Sequence, residues 1–146
     1  MTEVLDERPA MKCLFGTHHL LVDGDVVSLN FDGELHTADF HQLVQHLDEH
    51  VPAPQQFFLI AWAEKLTNVS AETRSIARKW EGFRRLRGDV TVGAPLLTRA
   101  IGTLAMRAIQ LYLRHEFPYS FVNTEQEARA WVARIRTQQE AVGCRS

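Results

Sequence analysis

The chain has 146 residues, 45% of them hydrophobic and 23% charged, values that exclude a disordered, collagen-like or disulfide-scaffold protein. Folding at this length buries roughly 70% of the unfolded surface, enough for one well-built core. Sixteen basic against eighteen acidic side chains leave a net charge of −2, so no chain-wide nucleic-acid field exists and any anionic partner must meet a local patch.

Residues 1–16 carry Glu3, Asp6 and Glu7, have no apolar h-region and show no clean period, so they are expected to form an N-terminal arm without a secretory signal. His19–Val22 and Val26–Phe31 flank Asp23-Gly24-Asp25, the signal of a short hairpin. After the turn Asp32-Gly33, Thr37 is placed to cap a helix whose Phe40, Leu43, Val44 and Leu47 share one face. Pro52 and Pro54 end it. Phe57–Trp62 is a continuous apolar run, as in a strand covered on both faces of a parallel sheet.

Ser70–Arg85 returns to a helical period, with Ile76, Trp80 and Phe83 on one side and Arg74, Arg78, Glu81 and Arg85 opposite. Gly88 and Asp89 are expected to end this helix and launch the strand Val90–Val92. Pro95 opens a long helix to about Arg114. Tyr119–Val122 reads as the last strand, and Thr124-Glu125-Gln126-Glu127 as a capping box for a final helix with Ala128, Trp131, Val132 and Ile135 inward. The order β-β-α-β-α-β-α-β-α implies an α/β domain with a mostly parallel central sheet, spanning residues 17–140 and followed by a tail at 141–146.

The hairpin, the proline-ended helix, the apolar central strand, Asn68–Arg74 opening the next helix, Val92-Gly93-Ala94-Pro95-Leu96 and the closing Phe121–Trp131 block together resemble the stage II sporulation protein AA-like (SpoIIAA-like) family of the STAS and CRAL-TRIO-like fold group. The resemblance covers about residues 18–137 and is carried best by the C-terminal strand, polar turn, Glu-x-Glu-Ala and aromatic residue. It implies a STAS-like fold and a mostly uncharacterised bacterial family, with proposed apolar-ligand binding, movement of the middle helices and membrane association.

Four constellations carry chemistry. His46-Leu47-Asp48-Glu49-His50 matches the H-x-x-E-H zinc-peptidase pattern. It ends a short helix on its wet side in a chain too small to enclose a substrate, so a solvated face, with adventitious metal on the His46/His50 pair, is the expected reading. Ser70 stands where phosphorylated STAS antagonists carry their acceptor, but its surrounding Asn68-Val69-Ser70-Ala71 differs from their motif and suits a plain N-cap. Arg74, Arg78 and Arg85, diluted by Glu72, Glu81 and Asp89, present a basic face suited to a membrane surface, without the aromatic platform that nucleic acid asks for.

The long helix is the fourth. Arg99, Thr103, Arg107, Gln110 and Arg114 make one narrow polar stripe, and the remaining apolar surface exceeds what a sheet-covering helix needs. The excess must face a helix, a second subunit or an apolar ligand. The preferred reading is a non-enzymatic module that captures an apolar small molecule or lipid between the second and third helices, with Trp62, Ile76, Trp80 and Phe83 facing Leu97, Ile101 and Leu104. Its alternative is a protein-interaction module similar to anti-sigma-factor antagonists, with Ser70 at the contact edge. No catalytic residue, cofactor, resident metal or nucleic-acid partner is expected. The two cysteines, Cys13 and Cys144, have no metal-ligand spacing. The longest apolar stretch, 94–113, is interrupted by Arg99, Arg107 and Gln110, so a cytoplasmic chain, peripheral to a membrane at most, is anticipated.

Overall fold

In the computed structural model, residues 10–145 are described, with side chains through Val142. A six-stranded sheet has the order β1-β2-β3-β5-β7-β8, formed by Met11–Phe15, His18–Asp23, Val26–Asn30, Phe57–Trp62, Leu86–Val92 and Tyr119–Val122. β1, β2 and β3 pair antiparallel, and β3, β5, β7 and β8 pair parallel. The expected hairpin is β2–β3, closed at Asp23 and Val26 with Gly24 at φ 62°, a positive value that favours glycine.

Three helical crossovers lie on one face: α1 (Thr37–His50), α2 (Ala71–Arg78) with a 3-10 turn (Glu81–Arg85), and α3 (Leu96–Leu113). Each joins neighbouring parallel strands, and a common hand puts all three on the same side. α4 (Glu125–Arg145) follows the last strand and packs on the other face, running through the boundary expected at residue 140. Period-2 alternation sorts the side chains: Phe57 and Ala61 join α1 and α3, while Phe58 and Ile60 meet Ala128, Trp131 and Val132 of α4.

Several expectations are corrected. Met11–Phe15, expected within the arm, is the edge strand β1, because Phe15 is fully buried in the main core; residues 1–9 lie outside the described part. A separate two-stranded parallel sheet pairs β4 (Gly33–Leu35) with β6 (Leu66–Val69), elements too short to leave a period. The helix expected over Ser70–Arg85 breaks after Arg78. Gly82 is the reason: a Cβ there would lie 2.1 Å from Trp80 Cζ2, so the indole folds back over the bare glycine instead of continuing a helical face. Gly88 and Asp89 are interior to β7 rather than a helix stop. The cap of α1 is His36, one residue before the expected Thr37: His36 N–H donates to Asp39 Oδ2 (3.0 Å), and Thr37 instead bonds Glu72 and Thr73 of α2. The capping box of α4 forms as read, with Glu127 N–H donating to Thr124 Oγ1 (3.1 Å) and Thr124 N–H to Glu127 Oε1 (3.1 Å).

Candidate ligand cavity

The three helices do not fill the space above their sheet. A cavity of about 250 Å³ remains between them, floored by Leu59, Ala61, Thr91 and Phe121. Phe40, Leu43 and Leu47 of α1 wall one side, and Ala77, Trp80 and Phe83 the other. Thr98, Gly102 and Met106 of α3 form the roof. Small residues leave the volume: Ala61 on the floor and Ala77 in the wall. α3 comes closest at Gly102, where a Cβ would lie 3.0 Å from Phe121 Cζ. Only Ile109 and Leu113 of α3 are buried, so its C-terminal half seats on the core while its N-terminal half stands over the void.

One acid lines this apolar space. Asp89 is 3% exposed, and its Oδ1 has no hydrogen-bond partner. Burial pushes its carboxyl up to about 7, because the charged form loses water and gains nothing in return. Leu59 of β5 and Tyr119 of β8 pair with it along the sheet. Among the described residues, the lining contributes no cation and, beyond Asp89, only the Thr91 and Thr98 hydroxyls and the Trp80 indole N–H as polar groups. Protonated, Asp89 donates one hydrogen bond into the cavity; ionised, it accepts hydrogen bonds or pairs with a positive group.

Trp80 and Phe83 therefore stand in the cavity wall, while Ile76 packs into the neighbouring core. The pairing expected with Leu97, Ile101 and Leu104 does not occur: these are 73%, 49% and 67% exposed. α3 is rotated so that Gly102 and Met106 face inward while Thr98 stays exposed at the cavity's rim, because the glycine permits the nearest approach and the polar stripe has partners beside β8 and the following loop. Arg99 donates to the Ala94 carbonyl and to Asn123 Oδ1 (2.7 Å), and Gln110 to the Phe117 carbonyl. Trp62 lies on the opposite sheet face, packed against the α4 cluster. Asp89, Thr91 and the α1 residues went unread as lining. The available signal was alternation in Asp89-Val90-Thr91-Val92, which separates the two polar residues from the two valines.

The other candidates separate in space. Arg74 and Arg78 are exposed on α2, as is the adjacent Lys79. Arg85 belongs to the 3-10 turn and points inward, donating to the Val51 and Gln55 carbonyls with its guanidinium 5.5 Å from the Phe57 ring centroid. It holds the loop before β5 rather than extending the basic face. Ser70 caps α2, its hydroxyl accepting from Thr73 N–H (3.1 Å) and bonded to Thr73 Oγ1 (2.7 Å). His46 and His50 stack along α1 at 6.4 Å, and Glu49 stands beside His50 at 4.0 Å.

Among the described residues, no helix is long and apolar enough to cross a membrane. No family model matches the sequence, and no curated protein matches it. The fold is nevertheless similar to that of a solved structure from Shewanella loihica, an uncharacterised protein of the DUF3478 family with a SpoIIAA-like fold. The TM-score is 0.55 at 14% sequence identity, over 90% of this chain and 98% of that one. Four parallel strands with three crossover helices on one face, a leading antiparallel hairpin and a returning last helix thus constitute a SpoIIAA-like, STAS-like α/β fold.

Proposed function

We propose that this protein is a non-enzymatic binding module that holds an apolar, lipid-like small molecule beneath α3 and meets a membrane surface through the outer side of that helix. The cavity carries the reading: about 250 Å³ of apolar space lined by one carboxyl, Asp89, whose Oδ1 has no hydrogen-bond partner. A dry engineered cavity of about 150 Å³ binds benzene, so this one has room for a ring system or a short acyl chain. Asp89 selects a ligand with one hydrogen-bonding end.

The outside of α3 supports the membrane half. Leu97, Ile101, Leu104 and Leu111 form an exposed stripe, and α3 has no acidic residue. Arg107 and Arg114 border that stripe, and Arg74 and Arg78 lie exposed on α2, which packs against α3. An apolar helix face rimmed by cations suits an anionic interface. Because its N-terminal half lacks buried anchors, α3 is the element free to lift, admit a ligand and offer its apolar side to lipid.

Native mass spectrometry of gently extracted protein should reveal a bound apolar molecule, lost in Ala77→Leu, whose added carbons occupy the void while the fold persists. An empty wild-type protein that also fails to bind added medium-chain lipids overturns the reading. The alternative is a protein-interaction module with Ser70, the cap of α2, at its edge. That alternative requires a phosphate mass shift mapped to Ser70 after incubation with a partner kinase, and unmodified Ser70 removes it.

A further inference from the structure

A second cluster lies away from the cavity, where α1 crosses the edge of the sheet. Cys13 of β1 and His46 and His50 of α1 each offer a ligand atom, all within 4.8 Å of one another, and all three residues are half-buried. We propose that these three side chains form a transition-metal site that takes Zn²⁺.

The hydrogen bonding of His46 points to a ligand. Its Nε2 lies 2.9 Å from the Leu14 carbonyl oxygen, an acceptor, so Nε2 carries the proton and donates it. The lone pair is thereby left on Nδ1, which is buried and has no hydrogen-bond partner. A histidine with one ring nitrogen donating to a backbone carbonyl and the other left unprotonated is the arrangement that fixes a metal-binding imidazole. A buried acceptor left empty costs about 1–3 kcal/mol unless something fills it.

The donor set then chooses the ion. One thiolate and two imidazoles favour zinc over magnesium or calcium, which take oxygen ligands. His46 and His50 are one helical turn apart and their rings stack at 6.4 Å, which puts both on the same side of α1. Cys13 reaches them because Phe15, two residues on and pointing the same way, is sunk in the core that α1 covers. Zinc bonds of about 2.0–2.3 Å draw tetrahedral ligands to roughly 3.3–3.8 Å of one another, a closure that small side-chain rotations supply from the observed spacing. Three protein ligands leave a fourth position for water. The ion would tie the edge strand β1 to α1, so its consequence is structural and does not depend on the cavity being occupied.

The test uses the full chain freed of metal by a chelator, then titrated with Zn²⁺ against a chromophoric competitor and, separately, with Co²⁺. The expected result is one equivalent bound, a thiolate-to-cobalt charge-transfer band, and a zinc-dependent rise in Tm. Cys13→Ser should abolish the band and weaken Zn²⁺ binding by at least about tenfold. His50→Ala should weaken binding similarly, so the inference stays testable if one variant folds poorly. Cys144→Ser should change nothing. Sub-stoichiometric binding, undiminished affinity in Cys13→Ser, or a band that follows Cys144 overturns the site.

Discussion

Asp89 is a carboxylic acid placed where ionisation has no compensation. Its carboxyl stands at about 7 in the fold against an ordinary 3.8, so the native state holds a proton that the unfolded chain has released across that interval. Stability therefore falls as pH rises from about 4 to about 7 and levels off above, by the sign of the linkage relation. Asp89→Asn removes this dependence. The variant should gain on the wild type steadily between about pH 4 and 7 and hold that gain above, reaching on the order of a few kcal/mol, as read by urea unfolding at each pH; a pH-independent difference refutes the assignment. Ser70 makes a smaller, local contribution. Its cap satisfies Thr73 N–H and joins a hydroxyl chain through Thr73 to Thr37 of α1. Ser70→Ala should cost about 1 kcal/mol, and an unchanged denaturation midpoint would contradict that role.

Among the elements, α3 has its apolar excess turned outward. Leu97, Ile101, Leu104 and Leu111 recur at spacings of four, three and seven, a seam that meets lipid or a second copy equally well on shape. Charge separates the two: the bordering arginines repel their counterparts in a second copy and attract anionic headgroups. Leu97→Gln with Leu104→Gln should leave stability within about 0.5 kcal/mol yet reduce sedimentation with anionic vesicles severalfold, and Arg74→Glu with Arg78→Glu should do the same. Retained sedimentation in both pairs, or a dimer in light scattering that the leucine pair dissolves, replaces the membrane with self-association. α2 shows the complementary case. Its early end at Arg78 releases Trp80 into the cavity wall, where the indole stands edge-on to Phe40 and Phe83 with centroids 6.2 and 5.1 Å away.

The whole molecule is asymmetric in how tightly its two faces are packed. On the α4 side Trp131 lies over Gly88, where a Cβ would stand 3.0 Å from the indole and 3.2 Å from the Phe58 ring. No slack exists there. Gly88→Val should destabilise by roughly 1–3 kcal/mol and lower Tm by several degrees in calorimetry, whereas Ala77→Leu on the cavity side should be tolerated. Equal tolerance at both positions would remove the distinction between a rigid and a yielding face. The cavity, the lightly anchored half of α3 and the unpartnered carboxyl all lie on the yielding side, which is where a module that takes up a ligand needs its freedom.

Much of this fold was legible in the chain because its signals are local. The Asp-Gly hairpin, the unbroken Phe57–Trp62 run, Pro95 and the Thr124–Glu127 box act within a few residues, and the parallel sheet follows from their alternation. The surplus of apolar surface on α3 was equally readable from its composition. Its direction was not: a helix with polar and apolar sectors can be turned either way, and Gly102 against Phe121, with Arg99 and Gln110 finding carbonyls beside β8, decided the rotation. The cavity, the isolation of Asp89 and the meeting of Cys13 with His46 and His50 likewise arise from residues on different elements, brought together by sheet order and helix packing. Their chemistry resides in distances that no short-range pattern encodes.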